Sequence, residues 1–486
     1  MEIKDLSPKS VWRNFYALTQ IPRPSGHVEK VAAYLVDFAK RNGAEAEIDE
    51  AGNVIMRKGA TPGYENKATV VLQAHMDMVP QKTKDSTHNF ETDPLDVYVD
   101  GDWVKARNTT LGADDGMGVA AAMAVIEDET VEHGPIEVLI TKDEETGMYG
   151  AFGLKPGELT GKYLLNLDSE TEGEILIGCA GGMDVVCSME YQEMSVDSDR
   201  MVAYKVGVKG LLGGHSGLEI NQGRANANKL LARVLFAAIN TGIASLSSWH
   251  GGNMRNAIPR DSEAVVLVPA VHEADFLALV DKCRDIFNAE FGEIETSGVT
   301  LTAAPCDVPA VAVPGEIQVN LVNAIMAAHD GVLRYIPSIP GLVETSSNLA
   351  IVNVGEGKAE VSILARSSQD TMKQYLCNSL VSCFSMAGMK VTLEGGYSGW
   401  QPNPKSKLVA VMSDVYEKMY GAKPVVTACH AGLECGIIGV SYPDMDMASM
   451  GPTLLSPHTP NERCNIPSVG KFYDFVLEIL KNIPEA

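Results

Sequence analysis

Residues 69–82, TVVLQAHMDMVPQK, constrain the fold more than any other part of the chain. The first half of this segment is apolar and β-branched, which is typical of a strand that is buried in a parallel sheet. The apolar run stops at His75, and Asp77 follows two residues later. Ligands of open α/β sheets bind just outside the carboxyl ends of the strands, so this position predicts a functional site. Two interpretations of this pair have equal weight. Either His75 is a metal ligand that the Asp77 carboxylate orients, or both residues lie in a plain polar loop.

Composition excludes several classes of protein. The chain has 486 residues, enough for two domains, with 45% hydrophobic and 21% charged residues, as in soluble globular proteins. It has no apolar stretch of about 18 residues and no apolar signal core at its N-terminus, so we expect a cytoplasmic protein without membrane contact. The nine Cys are scattered without a C-x-x-C pair, which fits a reducing compartment. The net charge of −24 and the lack of a long basic run argue against nucleic acid as a partner.

Strands alternate with helices along the first part of the chain, which predicts an α/β fold with a mixed sheet flanked by helices. From Met201 the order becomes strand, helix, strand, and a similar order follows later, so two diverged α+β units are possible. The α/β pattern returns near Tyr397. We therefore predict a catalytic domain made of residues 1–187 and 397–486, with an inserted α+β domain at 188–396.

Two adjacent carboxylates, Asp114 and Asp115, lie in the Gly-flanked turn LGADDG before a predicted helix. One Asp is explained by the preference of helix N-termini for acidic caps. The cap does not need the second carboxylate, so this turn is a further candidate for metal binding.

Three acidic residues follow the predicted buried strand at residues 136–140, and they include Glu144 and Glu145. Charge runs are usually solvated loops, which is the alternative here. However, adjacent carboxylates at the end of a strand can divide the work, because one can bind a metal while the other accepts a proton.

Two further sites each add one candidate ligand. Asp168 ends an apolar strand, and His458 lies in a loop between two Pro residues, although a single His is more often structural. Together the sites supply two His and several carboxylates without a thiolate, a set that suits Zn²⁺, Mn²⁺ or Co²⁺ in a hydrolytic site. Two metal ions need about six ligand groups with one bridging carboxylate, and the chain offers enough of them.

The order of the motifs HMD, GADDG, DEETG, NLD and SPHTP resembles that of the co-catalytic di-zinc peptidases of the M20 family. The segments KGLLGGHSGLEINQGRANANKLL and HAGLECGII are similar to those of its aminoacyl-histidine dipeptidase branch. The resemblance spans nearly the whole chain. It implies a zinc-peptidase domain with an inserted lid domain, a homodimer, and hydrolysis of unblocked dipeptides with broad specificity, including Xaa-His.

The resemblance also implies two Zn²⁺ ions per chain, for which Co²⁺ or Mn²⁺ can substitute. The implied metal ligands are His75, Asp114, Glu145, Asp168 and His458. In this assignment Asp114 bridges the two ions, with a cis peptide bond to Asp115. Asp77 orients His75, and Glu144 is the general base that activates a metal-bridging water. Relatives often have Asn in place of Asp115, a position at which we expect no direct ligand.

Five residues of the inserted domain and its neighbourhood are implied to act on the substrate. His215, in GGHSG, is the expected oxyanion donor, acting within its own chain or from a dimer partner; a simple turn is the alternative. Arg366 is expected to hold the substrate carboxylate, although an exposed Arg at a strand end is possible. Asn256 is a further expected contact, and Glu434 is expected to meet the free amine. His430 and Glu434 are expected to bind substrate or to form a pair on a helix surface.

Two other functions use the same features. An aminoacylase or deacylase on the same scaffold would prefer N-acylated substrates, whereas a dipeptidase requires a free amine. A catalytically inactive protein that binds metal or peptide is the third possibility, and the intact Glu144 argues against it.

Overall fold

The computed structural model describes residues 2–486, which divide into two compact units. The first unit comprises the described residues up to Gly178, together with Trp400–Ala428 and Leu433–Ala486. The second comprises Cys179–Gly399 and Cys429–Gly432. No helix among residues 2–486 is both long and apolar enough to cross a bilayer.

The helices are α1 (Lys9–Thr19), α2 (Glu29–Arg41), α3 (Ala113–Glu127), α4 (Glu144–Gly147), α5 (Tyr149–Gly153), α6 (Ala227–Asn240), α7 (Glu273–Phe291), α8 (Gly315–Ala327), α9 (Asp370–Met386), α10 (Lys407–Tyr420), α11 (Glu434–Ser441) and α12 (Ile466–Asn482). The strands are β1 (Glu45–Ile48), β2 (Val54–Lys58), β3 (Val70–His75), β4 (Val97–Asp100), β5 (Trp103–Ala106), β6 (Ile136–Thr141), β7 (Tyr163–Asn166), β8 (Glu174–Cys179), β9 (Gly181–Glu190), β10 (Met194–Ser195), β11 (Met201–Lys209), β12 (Gly214–His215), β13 (Ser245–Gly251), β14 (Ala257–Ile258), β15 (Ser262–Pro269), β16 (Thr300–Cys306), β17 (Val311–Ala312), β18 (Gly331–Tyr335), β19 (Val343–Gly355), β20 (Lys358–Ser367), β21 (Lys390–Tyr397), β22 (Val425–Cys429), β23 (Asp446–Ser449), β24 (Leu454–Leu455) and β25 (Arg463–Asn465).

The first unit is built on an eight-stranded sheet in the order β1-β2-β6-β3-β7-β23-β8-β22. The strands from β6 to β23 run parallel, whereas β1, β2 and β8 pair antiparallel with their neighbours. The predicted mixed α/β sheet is therefore confirmed. Every residue of β3, β6 and β7 is buried, as expected for parallel strands that are covered on both faces.

Helix α3 is apolar on all sides, and its residues from Met117 to Ile126 are buried. Small residues allow this close packing. A Cβ atom added at Gly116 would lie 2.5 Å from the Arg23 guanidinium and 3.1 Å from Phe15. The LGADDG turn is thus pressed against the neighbouring loop, which limits where Asp114 can lie.

The parallel register brings the functional ends of three strands to one edge. His75 at the end of β3 pairs with Thr141 at the end of β6, and Gln73 pairs with Asn166 at the end of β7. The acidic segments that follow β6 and β7 therefore begin beside His75. This is the arrangement that places ligand sites at the carboxyl edge of a sheet.

The second unit contains a nine-stranded sheet in the order β16-β11-β15-β13-β19-β20-β9-β21, with β18 also paired to β19. The two predicted α+β units are joined in this sheet, because Trp249–Gly251 of β13 pairs with Val352–Val354 of β19. Their apolar residues also form one core, in which Leu235 and Leu380 come from different halves. The sequence indicates each half but contains no local signal for the pairing between them.

The compact units and the predicted domains have different boundaries. The predicted boundary between residues 187 and 188 lies inside β9, and the one between 396 and 397 lies inside β21. Both strands belong to the second sheet, since β9 pairs with β20 and β21. The segment Cys429–Gly432 also joins the second unit, where the amide of Ala180 donates to the carbonyl of Ala431.

Candidate active site

Histidine and carboxylate side chains gather at the carboxyl edge of the first sheet. They form three overlapping groups, and within each group the possible ligand atoms lie within 4.8 Å of one another. The groups are His75 with Asp114 and Asp168, His75 with Glu144 and Glu145, and Asp114 with Glu145 and His458. The structure therefore brings together all five predicted ligands and the predicted base within the first unit.

Asp114 lies at the centre of this cluster. Its Oδ1 is 3.2 Å from Nε2 of His75, and its Oδ2 is 3.0 Å from Nε2 of His458. Nε2 of His75 is also 3.5 Å from Asp168, and Nε2 of His458 is 3.0 Å from Glu145. One carboxylate thus faces both imidazoles with different oxygens, as a carboxylate that bridges two metal ions must do.

Asp77 is completely buried behind the cluster. Its Oδ1 lies 3.4 Å from Nδ1 of His75 and accepts a hydrogen bond from the amide of Glu144 at 3.0 Å. Its Oδ2 accepts from the amide of Glu145 at 3.3 Å and from the hydroxyl of Ser25 at 2.7 Å. Asp77 can therefore fix the His75 ring and the acidic segment together, as expected for a carboxylate that supports a metal ligand.

The cluster contains more buried negative charge than its histidines can balance. Burial raises the pKa of Asp168 to about 7, and burial with the nearby Asp168 and Glu434 raises the pKa of Glu144 well above its ordinary value. Burial also acts to raise the pKa of Asp114, but His458 and His75 reverse the shift and lower it. Oε1 of Glu145 is buried without a hydrogen-bond partner among the described residues. These side chains therefore fit divalent cations, and a His and carboxylate donor set suits Zn²⁺.

Asp115 points away from the ligand positions. Its Oδ2 accepts from the amide of His75 at 3.2 Å, and its Oδ1 accepts from the amide of Gly118 at 3.0 Å. The peptide bond between Asp114 and Asp115 is cis, as the resemblance implies. Asp115 therefore stabilises the local backbone by accepting hydrogen bonds from two amides. An Asn side chain could do this in part, because only its carbonyl oxygen is an acceptor.

Glu434 is also in the first unit and has no exposed atom. Its Oε2 accepts hydrogen bonds of 2.6 Å from Gln73 and from Thr141, below the metal-binding edge. The predicted contact with a substrate amine requires this side chain to move, and it stays a prediction. The suggestion that His430 and Glu434 form a pair on a helix surface is wrong, because both are buried and α11 begins only at Glu434.

His215 is in the second unit, where β12 pairs with β14. Its Nδ1 accepts hydrogen bonds from the amides of Gly217 at 3.1 Å and Leu218 at 3.0 Å. Because Nδ1 is an acceptor, the neutral ring carries its proton on Nε2. Burial and the nearby Arg366 lower the pKa of His215 to about 4, so the ring is a neutral Nε2–H donor at pH 7.

Arg366 lies near the end of β20 and is only 5% exposed, so the alternative of an exposed strand-end Arg is wrong. Its Nη1 donates to the hydroxyl of Tyr397 at 3.1 Å, and its Nε faces the Ser216 hydroxyl at 3.4 Å. A Cβ atom at Gly182 would lie 2.6 Å from the Tyr397 ring, so only glycine leaves room for that ring. The guanidinium is held in place by its neighbours.

His430 and Asn256 complete the predicted residues of the second unit. Nε2 of His430 is 2.7 Å from the Ser346 hydroxyl. Burial, with the nearby charges of Arg366 and His215, lowers the pKa of His430 to about 3. Asn256 is exposed, and its carbonyl accepts from the amide of Ser216 at 2.8 Å, next to His215.

The sequence did not indicate several residues that support these sites. Arg23 and Glu462 bind the backbone of the ligand segments, and Tyr397 binds Arg366. Arg23 lies between two prolines in IPRP, and Glu462 follows His458 closely. Proximity to His458 is a signal that could have indicated Glu462, whereas Arg23 is far in sequence from every proposed ligand.

The comparisons with known proteins cover almost the whole chain. The sequence pattern of peptidase family M20/M25/M40 matches residues 71–482. The cytosol non-specific dipeptidase of Escherichia coli K12 is 42% identical over 483 residues, which cover 99% of each protein.

Solved structures give the same result. The aminoacylhistidine dipeptidase from Vibrio alginolyticus matches with a TM-score of 0.93 and 42% identity, over 100% of this chain and 99% of that one. The aminopeptidase PepT from Bacillus cereus matches with a TM-score of 0.56 over 98% of this chain and 99% of that one. Its identity is only 16%, so it shows a common fold alone.

Proposed function

The chain belongs to peptidase family M20/M25/M40, as its motifs indicate, and we propose that it is a di-zinc dipeptidase. It is a metal-dependent hydrolase that acts on peptide bonds, like the dipeptidases it is similar to.

The observation that supports the proposal most strongly is the position of Asp114. This carboxylate belongs to two ligand groups, one with His75 and Asp168 and the other with Glu145 and His458. In the proposal each group would hold one Zn²⁺ ion, and Asp114 would belong to both groups. Zinc held by these residues would lower the pKa of a nearby water molecule and would polarise the scissile carbonyl group.

Glu144 is assigned the proton transfers. It removes a proton as the water oxygen adds to the carbonyl carbon, and it then delivers that proton to the nitrogen as the C–N bond breaks. Its backbone is fixed because its amide donates to Asp77. The buried environment that raises the pKa of Glu144 also favours a carboxylate that is able to accept a proton near neutral pH.

Two residues of the second unit are assigned to the substrate. His215, as a neutral Nε2–H donor, would stabilise the oxyanion of the tetrahedral intermediate. Arg366, held by Tyr397 and Ser216, would bind the carboxylate at the C-terminus of the peptide. Asn256 and His430 are assigned weaker substrate contacts, since they lie close to these two side chains.

The substrate is proposed to be an unblocked dipeptide, including Xaa-His peptides. This specificity is supported by the names of the two relatives that share 42% identity, a non-specific dipeptidase and an aminoacylhistidine dipeptidase. A cytoplasmic location is proposed from the name of the first relative. The homodimer stays a prediction.

A hydrolysis panel tests this function. Unblocked dipeptides such as β-alanyl-histidine and alanyl-histidine, and N-acetylated forms of each, are given to protein that has been stripped of metal and then reloaded with Zn²⁺. We expect hydrolysis of the unblocked dipeptides by the reloaded protein alone.

The control reactions separate the other two functions. Faster hydrolysis of the N-acetylated peptides would identify an aminoacylase or deacylase instead. Binding of peptide without hydrolysis of any substrate, in protein with full zinc content, would identify an inactive relative.

A further inference from the structure

Two buried charged residues outside the ligand set bind the backbone of the segments that contain the ligands. They are Arg23 and Glu462, each 2% exposed. We propose that these residues are positioning residues, which fix the ligand segments in their metal-binding arrangement before metal arrives. The inference rests on the proposed metal site and adds the part of the chain that shapes it.

Glu462 connects the two segments that contain Asp114 and His458. It follows His458 in the same loop, and its carboxylate accepts hydrogen bonds from four successive amides of the other segment. These amides belong to Leu111 at 2.8 Å, Gly112 at 3.1 Å, Ala113 at 2.8 Å and Asp114 at 3.3 Å. Successive amides that converge on one anion form a strong fixed contact. The contact therefore sets the separation between two ligands of the same proposed ion.

Arg23 connects the segment that contains His75 to the segment that contains Asp114. Its Nη1 donates to the carbonyls of Met76 at 2.9 Å and Asp77 at 3.0 Å. Its Nη2 donates to the carbonyl of Gly112. A Cβ atom at Gly112 would lie 2.7 Å from Nη2, so a glycine is needed for the guanidinium to approach.

The two contacts meet at one residue. Gly112 donates its amide to Glu462 and offers its carbonyl to Arg23, two residues before Asp114. Burial of the Arg23 guanidinium lowers its pKa, and the charges of Glu462 and Asp77 oppose that shift. The pair thus holds the bridging Asp114 relative to both His75 and His458. Side chains that are held in this way lose less freedom on metal binding, which raises metal affinity.

If Arg23 and Glu462 only stabilised the fold, their substitution would affect metal affinity no more than substitution of another buried residue. Glu137 is a matched control, since it is 3% exposed in the same unit and accepts from the amides of Thr160 and Gly161, both at 2.9 Å. It lies near the start of β6, whereas the ligands follow the end of that strand. Substitution of Glu137 should therefore lower stability without changing the affinity for metal.

The experiment measures zinc affinity by competition with a chromophoric chelator in full-length Glu462→Gln, Arg23→Lys and Glu137→Gln proteins. Folding is checked by circular dichroism. Gln at 462 turns an NH₂ group towards backbone amides, and Lys at 23 has one nitrogen in place of the two guanidinium nitrogens that contact the two segments. We expect each of these two variants to lose about 10- to 100-fold in affinity for at least one zinc ion. We expect Glu137→Gln to keep wild-type affinity while its thermal midpoint falls.

Unchanged zinc affinity in folded Glu462→Gln and Arg23→Lys would overturn the inference, as would an equal loss in Glu137→Gln. If Glu462→Gln does not fold, Arg23→Lys decides the question. The proposed function fails separately: wild-type protein that binds no zinc would remove the metal site itself. Wild-type protein that binds zinc and hydrolyses dipeptides, with unchanged affinity in the variants, would reject the positioning role alone.

Discussion

The two units differ in the charge that they bury at their candidate sites. The acidic cluster of the first unit consists of Asp114, Glu144, Glu145 and Asp168 with two histidines, and burial raises the pKa of Asp168 to about 7. The basic cluster of the second unit consists of His215, Arg366 and His430. There, burial lowers the pKa of His215 to about 4 and of His430 to about 3.

The comparison shows what each cluster needs. Buried groups shift their pKa values towards the neutral form when no opposite charge is present. Bound cations would lower the electrostatic cost of the buried carboxylates in the acidic cluster. An anionic group would do the same for the buried positive charge in the basic cluster. The proposed reaction uses both, because metal ions would activate the water and a positive group would bind the substrate carboxylate.

The largest effect is expected in the acidic cluster. Glu144→Gln removes the group that transfers the proton, so kcat should fall by about 100- to 10,000-fold. Steady-state hydrolysis of a dipeptide and elemental analysis of the same sample measure activity and metal content. Glu132→Gln, at an exposed residue paired with Lys481, is the control. Near-normal activity of the variant would take the base role away from Glu144, and loss of metal would make Glu144 a ligand.

The next largest effect is expected in the basic cluster. His215→Ala should lower kcat by about 100- to 1,000-fold, because one oxyanion donor is lost. Zinc content should stay at the wild-type value, since His215 is outside the ligand groups. His272→Ala, at an exposed His of the same unit, should keep normal kcat. An unchanged kcat for His215→Ala would leave the GGHSG segment a plain turn.

Arg366→Lys separates binding from chemistry. The variant loses a fixed guanidinium, so kcat/KM for dipeptides should fall by about 10- to 100-fold, mostly through KM. For a dipeptide amide, which lacks the carboxylate, wild type and variant should differ little. Arg334→Lys, at a half-exposed Arg of the same unit, serves as control. Equal losses for acid and amide substrates would show that Arg366 does not recognise the carboxylate.

The smallest effect concerns stability. His430 has a pKa of about 3 in the folded protein against an ordinary value of 6.5, because it is buried and faces Arg366 and His215. The unfolded chain binds a proton below pH 6.5 and the folded chain does not, so stability falls as the pH drops towards 3. Between pH 7 and 5 the free energy of unfolding should fall by about 2 kcal/mol because His430 stays neutral in the folded protein. The His430→Gln variant should not show this loss. The thermal midpoints of wild type and variant are measured at pH 7 and at pH 5. An equal change in both proteins would show that His430 is not kept neutral in the folded protein.

The acidic cluster was more predictable from the sequence than the basic one. The proposed ligands His75, Glu145 and Asp168 lie at or after the ends of apolar strands, and parallel strands bring such ends to one edge. The apolar runs in the sequence therefore predicted that these residues lie at one edge of the sheet. The grouping of His215 with Arg366 depends on a sheet that joins two halves of the second unit, and no local pattern shows which strands pair across them.

The residues that hold the two clusters in place were the hardest to predict from the sequence. Arg23 and Tyr397 make contacts that depend on glycines at distant positions, Gly112 and Gly182. Such contacts have no fixed sequence spacing. They become visible only when the chain is folded, which is why the motifs indicated the proposed ligands and missed the residues that hold them.

The most direct test of the central claim is a zinc titration of metal-free protein, with bound metal and dipeptide hydrolysis measured at each step. The shared position of Asp114 predicts no activity without metal and full activity at about two zinc ions per chain. Full activity of metal-free protein, or a protein that binds no zinc at all, would contradict the account.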